Sequence, residues 1–397
     1  MIPSLRAHFN RNYTPEKYRK FLEDLRAMCG TPTEFRVSET PCFLPQLLMR
    51  QMCDYGAELT KQLVNSKQYR KASDAAVPAA YNVANENRLP MFLQVDFGIV
   101  RGANGELEPK LVELQAFPSL YGYQPALAKQ YRESYGLSED LSVFFGDFDE
   151  DSYWHLMRRV IVAGSDPENV ALLEIDPFEQ KTLPDFLITQ KWLGIAIVNI
   201  REVVKQGKCL FYRKNGHLIP IQRIYNRCIV DELVRKNVNL PFDLRDELDV
   251  QWAGHPNWYF RISKFSIPHL KHRSVPKTFF LNELKNIPAD RETYVLKPLY
   301  AFAGAGIRFA PSDEEIAAIP ANQRHDYILQ ERMNFAPLIQ TPHGETQIEV
   351  RIMYVWPEGG ELTPLLPLIR MGRGKMMGVD HNRNLEWVGS SAGLIAE

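Results

Sequence analysis

The stretch QVDFGIVRGANGELEPKLVELQAFPSL, residues 94–120, decides how the rest of the chain is read. Two β-rich apolar runs flank the turn signal Gly-Ala-Asn-Gly at 102–105, the pattern of a hairpin-like pair of strands. The second run carries Glu113 and Gln115 before the chain turns at Pro118. Side chains two apart on a strand share a face, so these two oxygen-bearing groups point the same way. That is the spacing of a metal-ligand pair at a strand end, and also of an ordinary strand. Glu113 has apolar neighbours, and a lone buried carboxylate is costly, so its partners have to be sought elsewhere in the chain.

Composition narrows the search. A chain of 397 residues exceeds what one core usually holds, which implies two or three domains. Apolar content of 45% and charged content of 24% are those of a globular protein. A net charge of −1 argues against nucleic acid or an anionic membrane as the main partner, since either favours a basic surplus. The five cysteines (29, 42, 53, 209 and 228) contain no C-x-x-C pair and are odd in number, as expected of reduced thiols in a reducing compartment. The first twenty residues lack the apolar core of a signal peptide, and no run approaches 18 apolar residues. The expectation is a cytoplasmic protein.

Residues 14 to about 90 read mainly as helices. Thr14 and Pro15 supply an N-cap and a first helical position, and Tyr18, Phe21, Leu22, Leu25 and Met28 follow at helical spacing. From about residue 155, strand and helix alternate, with a hairpin at Asn215-Gly216, which suggests an α/β layer domain. The remainder is mostly strands, with one glycine-rich loop among them.

That loop belongs to YVLKPLYAFAGAGI, residues 294–307. A strand delivers Lys297, a compact cation suited to a phosphate oxygen. Ala303, Gly304, Ala305 and Gly306 then let the backbone approach a polyphosphate with its N–H groups. The P-loop and dinucleotide-binding patterns are absent, and a glycine-rich loop between strands also has a purely structural reading. About 30 residues on, DYILQERMN ends a strand in Gln330-Glu331-Arg332-Met333, which offers a carboxylate and backbone groups to an adenine edge, or a simply solvated strand end.

Taken in order, these pieces resemble the ATP-grasp superfamily. Lysine-proline before a glycine-rich loop is similar to its phosphate-covering lid, and YILQERM to the strand entering its adenine hinge. EVRIMYVW and PLIRMG…NRNLEWVGSSAG resemble its arginine-bearing strands and the asparagine and small-residue loop beyond them. The family's usual closing strands, an aspartate and then E-x-N with a turn, are matched instead by Asp96, Glu113-x-Gln115 and Pro118-Ser119, about 180 residues upstream of the lysine loop. That is the circularly permuted order, similar to eukaryotic-type glutathione synthetase and, more loosely, to glutathionylspermidine synthase. The implied architecture is an α+β or α/β, circularly permuted ATP-grasp fold. It comprises a helical N-terminal region (1–90), a permuted metal-binding part (91–150), an inserted α/β substrate domain (151–250), and the nucleotide-binding lid and core (251–397).

The resemblance also implies roles. Asp96, Glu113 and Gln115 would converge on Mg²⁺ bridging ATP phosphates, hard oxygen ligands for a hard cation. Gln115 stands where the family has asparagine, so its amide either coordinates with a longer arm or serves as a hydrogen-bonding strand residue. Lys264, with Lys271 as competitor, and Lys297 would hold the nucleotide with Gly304, Gly306, Gln330, Glu331 and Met333. Arg351 and Arg370 would carry the chemistry, or form structural salt bridges with Glu349 or Glu361. Arg227, Ser119, Arg373 and Ser390 would line the substrate end, with Lys375 beside Arg373 on a loop. Asn384 would help with phosphate or metal. The acid that glutathione synthetases carry after lysine-proline is replaced here by an apolar residue.

The expected activity is ATP-dependent ligation of a small-molecule or peptide carboxylate to an amine through an acyl phosphate, by a monomer or homodimer. An ATP-dependent small-molecule kinase and a catalytically degenerate nucleotide-binding protein are the competing expectations.

Overall fold

The structure, a computed structural model, describes residues 1–301, 304–382 and 384–396; Ala303 of the glycine-rich loop lies outside the described residues. The chain opens with helices α1 (Pro3–Asn12) and α2 (Pro15–Cys29). In α2 the Thr14 hydroxyl accepts from the Lys17 amide, Pro15 opens the first turn and Gly30, at φ 74°, ends the helix. Strand β1 (Cys42–Pro45) precedes α3 (Gln46–Asn65) and α4 (Lys67–Ala76). This strand departs from the helical expectation for residues 14–90. Four residues are too few for a period to register, and they owe their extended form to parallel pairing with the last strand of the chain.

Strands β2 (Phe92–Arg101) and β3 (Leu107–Gln115) form the expected hairpin, followed by α5 (Tyr123–Tyr135) and α6 (Glu150–Ile161). The alternating region contributes β4 (Val170–Glu174), α7 (Leu183–Leu193), β5 (Ala196–Asn199), β6 (Val204–Gln206), β7 (Cys209–Lys214), β8 (His217–Ile221), β9 (Arg223–Asn226) and β10 (Gln251–Ala253). Asn215 and Gly216 both take positive φ in the β7–β8 turn, as an Asn-Gly hairpin requires. The last third holds β11 (Thr278–Phe280), β12 (Tyr294–Pro298), β13 (Arg308–Phe309), β14 (Tyr327–Glu331), β15 (Ile339–Thr341), β16 (Gly344–Val355), β17 (Thr363–Gly372) and β18 (Gly389–Ala396).

Among the described residues these strands form four sheets, so the chain is a mixed α+β protein. The largest runs β1-β18-β17-β16-β2-β3, with β15 pairing to β16; β1 is parallel to β18 and the other pairs are antiparallel. The early hairpin is thus built into the sheet beside strands 250 residues later. A second, all-parallel sheet runs β10-β9-β4-β5 and a small antiparallel one β6-β7-β8. The fourth, β11-β14-β12-β13, is antiparallel and carries Lys297 and Gln330.

One core joins α2, α5, α6 and α7 to the large sheet through residues such as Phe21, Tyr131, Tyr153, Phe186 and Leu394. A second packs α3 against the sheet through Met49, Met52, Leu59, Val95, Val350 and Ile369. Among the described residues no helix is long and apolar enough to cross a membrane.

Candidate functional site

Strand register builds the site. Asp96 lies opposite both Glu113 on β3 and Arg351 on β16, while Gln94 lies opposite Gln115. Glu349 pairs with Arg370 on β17, and Arg370 with Ser390 on β18. Because alternate residues share a face, Gln94, Asp96, Glu113, Gln115, Glu349, Arg351, Arg370 and Ser390 form one polar band across five strands. β3 carries an irregularity beside Val112, where the pairing shifts from Asp96–Glu113 to Phe97–Leu111.

Asp96 is the hub of the band. Its side chain is 1% exposed, and Arg351 grips it with two parallel bonds of 2.6 Å, Nε to Oδ1 and Nη2 to Oδ2. Arg370 adds a third at 3.0 Å and also pairs with Glu349. Burial works to raise the Asp96 carboxyl, but Arg351 and Arg370 outweigh it and hold it below the usual range. Burial raises the Glu349 carboxyl despite Arg370. Asp96, expected as a metal ligand, here has both of its oxygens bonded to two guanidinium groups. The salt bridge allowed for Arg370 with Glu349 is present, whereas Arg351 pairs with Asp96. The Gln115 amide sits against Arg351; with its oxygen toward that group it accepts from Nη1 at 2.8 Å and Nη2 at 2.5 Å. Gln94, absent from the expected set, links Arg351 (2.8 Å) to the Ser119 carbonyl (2.7 Å). Its signal was its place two residues before Asp96 on the same face.

The β11-β14-β12-β13 sheet closes over this band and leaves a cleft of about 740 Å³ between them, the size of a small-molecule site. Lys297 reaches from β12 to the Gln330 side-chain oxygen (2.5 Å) and to the Val112 carbonyl (3.4 Å). Burial lowers its ammonium to about 8, against the pull of Glu113. Lys264, from a helical turn capped by Ser263, pairs with Glu113 at 3.3 Å and donates to the Ala301 carbonyl at 2.9 Å. Its competitor Lys271 is exposed and outside the lining. Gly304, Glu331 and Met333 line the cleft, with Leu114, Ile307 and Phe309 as apolar walls. Gly306 is not among the lining residues; at φ 71° it turns the loop beside Pro298.

The far end is walled by Ser119, Ser390, Arg373, Lys375 and Phe35. Arg373 is tied to the hydroxyls of Thr346 (3.1 Å) and Thr341 (3.2 Å) and to the Glu386 carbonyl (2.8 Å). Phe35 comes from the N-terminal region, whose following residues pair with β18: the Ser390 amide donates to the Arg36 carbonyl and the Ser38 amide to the Ser390 carbonyl. Nothing in the local sequence announced that contact.

Two expectations are corrected here. Arg227 does not line the cleft. It is 3% exposed, pairs with Asp185 (3.3 Å), donates to the Pro118 carbonyl and lies against Phe117 and Phe186. A buried arginine at the end of β9 takes the nearest carboxylate, and the pair props the 118–120 turn from beneath. Asn384 is exposed; Asn382 instead holds the neighbouring loop through the carbonyls of Met376 (3.0 Å) and Gly378 (3.1 Å).

Comparison with known proteins gives the same architecture. No protein-family model matches the chain, and no curated protein matches it. A solved structure does: a glutathione synthetase-like effector from Globodera pallida in its apo form. The TM-score is 0.62 at 11% identity, over 97% of this chain and 98% of that one. The two share a fold.

Within that glutathione synthetase-like fold, the side chains can be tested against a metal. Among the described residues no group of three His, Cys, Asp or Glu side chains could hold one. Asp96, Glu113 and Glu349 face Lys264, Lys297, Arg351 and Arg370, so the band carries no negative surplus. A magnesium ion brought in on phosphate oxygens would need only one or two protein oxygens. Glu113, half-buried at the cleft wall, is the donor that fits; the Gln115 oxygen, like those of Asp96, is turned to Arg351.

Proposed function

We propose that the chain is an ATP-dependent carboxylate–amine ligase of the ATP-grasp kind, acting through an acyl phosphate on a small-molecule or peptide acid. One observation carries this reading: lysines and arginines from residues 264–370 meet Glu113 and Gln115 of the early hairpin in a single cleft. In this scheme Lys264 and Lys297 hold phosphate oxygens, and Gly304 allows backbone approach. Arg370, partly exposed beside the buried Asp96–Arg351 pair, balances charge at the reacting phosphoryl group. Arg351 is kept in place by Asp96. Ser119, Ser390, Arg373 and Lys375 receive the acid. A magnesium ion bound with the nucleotide, held by Glu113, would neutralise charge on the transferring group; Gln115 would join it only by releasing Arg351.

A second reading, nucleotide binding without ligation, is favoured by the full engagement of Asp96 with arginines. The test is calorimetric titration with ATP and magnesium, then turnover with a panel of carboxylic acids and hydroxylamine as the trapping amine. Ligation gives hydroxamate with stoichiometric phosphate release. A stable phosphate ester on a hydroxyl-bearing acid of the panel points to a kinase. Tight ATP binding without turnover across the panel leaves the second reading, and no ATP binding removes both.

A further inference from the structure

The amide of Gln330 is a buried group with half of its hydrogen-bonding capacity committed. Its side chain lines the cleft and the residue is 1% exposed. The oxygen accepts from Lys297 Nζ at 2.5 Å. The nitrogen has no hydrogen-bond partner among the described residues. A lysine ammonium offers only donors, so the amide cannot turn round: its oxygen must face Lys297 and its NH₂ must face away. A buried donor without a partner is costly, by more than a hydrogen bond contributes when made. The cleft wall thus holds a buried donor of fixed orientation without an acceptor.

We propose that Gln330 reads the nucleobase, donating its NH₂ to N7 of a purine. The inference rests on the nucleotide reading of the cleft above. Position selects the atom. Gln330 is bonded to Lys297, the lysine set to meet phosphate, so it stands on the phosphate side of the base. In a purine nucleotide in the ordinary anti form, the edge turned toward the 5′-phosphates is the one carrying C8 and N7, and N7 is an acceptor. A pyrimidine base has no such atom there. Lys297 is then a positioning residue for the base as well as a phosphate contact, because its bond to Oε1 sets which end of the amide faces the nucleotide.

The experiment compares ATP with 7-deaza-ATP, in which N7 is replaced by C–H, by calorimetric titration of the full chain with magnesium present. The wild type is expected to bind 7-deaza-ATP about tenfold more weakly than ATP. Gln330→Glu keeps an oxygen for Lys297 and replaces only the NH₂. In that variant the preference for ATP over 7-deaza-ATP should disappear, with ATP binding falling to the level of the analogue or below. Gln330→Met, close in size and without the amide, should lose the preference in the same way; thermal melts of both variants check their folding. Equal affinity of the wild type for the two nucleotides overturns this inference and leaves the nucleotide site standing. A preference that persists in both folded variants overturns it too. Absence of any ATP binding removes both the site and the inference.

Discussion

At the scale of single residues, Asp96 and Lys297 make opposite demands on their surroundings. Asp96 tolerates burial because two arginines surround it. Asp96→Asn removes the charge and leaves Arg351 and Arg370 under-compensated in the interior. It should lower stability by about 3 kcal/mol, since breaking one member of a buried ion network costs more than the network contributes. Urea denaturation followed by circular dichroism checks this; a loss below about 1 kcal/mol would mean that water already reaches the pair. Lys297 is instead held near its titration point, with its ammonium lowered to about 8 by burial. A phosphate beside it favours the charged form, so binding should be strong below pH 8 and weaken as the pH rises above it. At pH 8.5 binding should draw in a proton, making the calorimetric enthalpy depend on the ionisation heat of the buffer. Lys297→Met should abolish that dependence.

At the scale of elements, β18 and the segment after α2 lock one another in place. Gly389 has φ 116°, and a Cβ there would lie 2.5 Å from the Arg36 carbonyl oxygen. Gly389→Ala should cost about 1–3 kcal/mol through backbone strain and separation of the two segments, read as a lowered melting temperature. Ser390, next in sequence, should be displaced with it. Sequence carried the elements themselves well. Capping by Thr14, the Asn215-Gly216 turn and the strand delivering Lys297 are local signals, and each is where residue chemistry puts it. Partnerships were less legible. Asp96 meets Arg351 across 255 residues, and nothing in either strand states which carboxylate an arginine will find. Arg227 was drawn to Asp185 for the same reason. β1 and Phe35 went unread because four extended residues and one loop aromatic carry no period.

For the whole molecule, the cleft is roofed by two loops that touch. A side chain at Gly304 would collide with the terminal methyl of Met376, so the glycine-rich loop and the 373–378 loop meet over the site. Nucleotide should therefore slow amide hydrogen exchange in both loops together, with magnesium present. Protection of one loop alone would show that they move independently.

The same topology bears on biosynthesis. β2 sits in mid-sheet between β3 and β16, so one of its two edges stays open until its late neighbour has left the ribosome. At ordinary translation rates that interval is on the order of tens of seconds. Throughout it the nascent chain exposes an apolar strand edge, and the long-range pairing that follows is intrinsically slow. Production of this protein should therefore lean on chaperones that shield emerging strands, more than a chain of equal length with neighbouring strands adjacent in sequence.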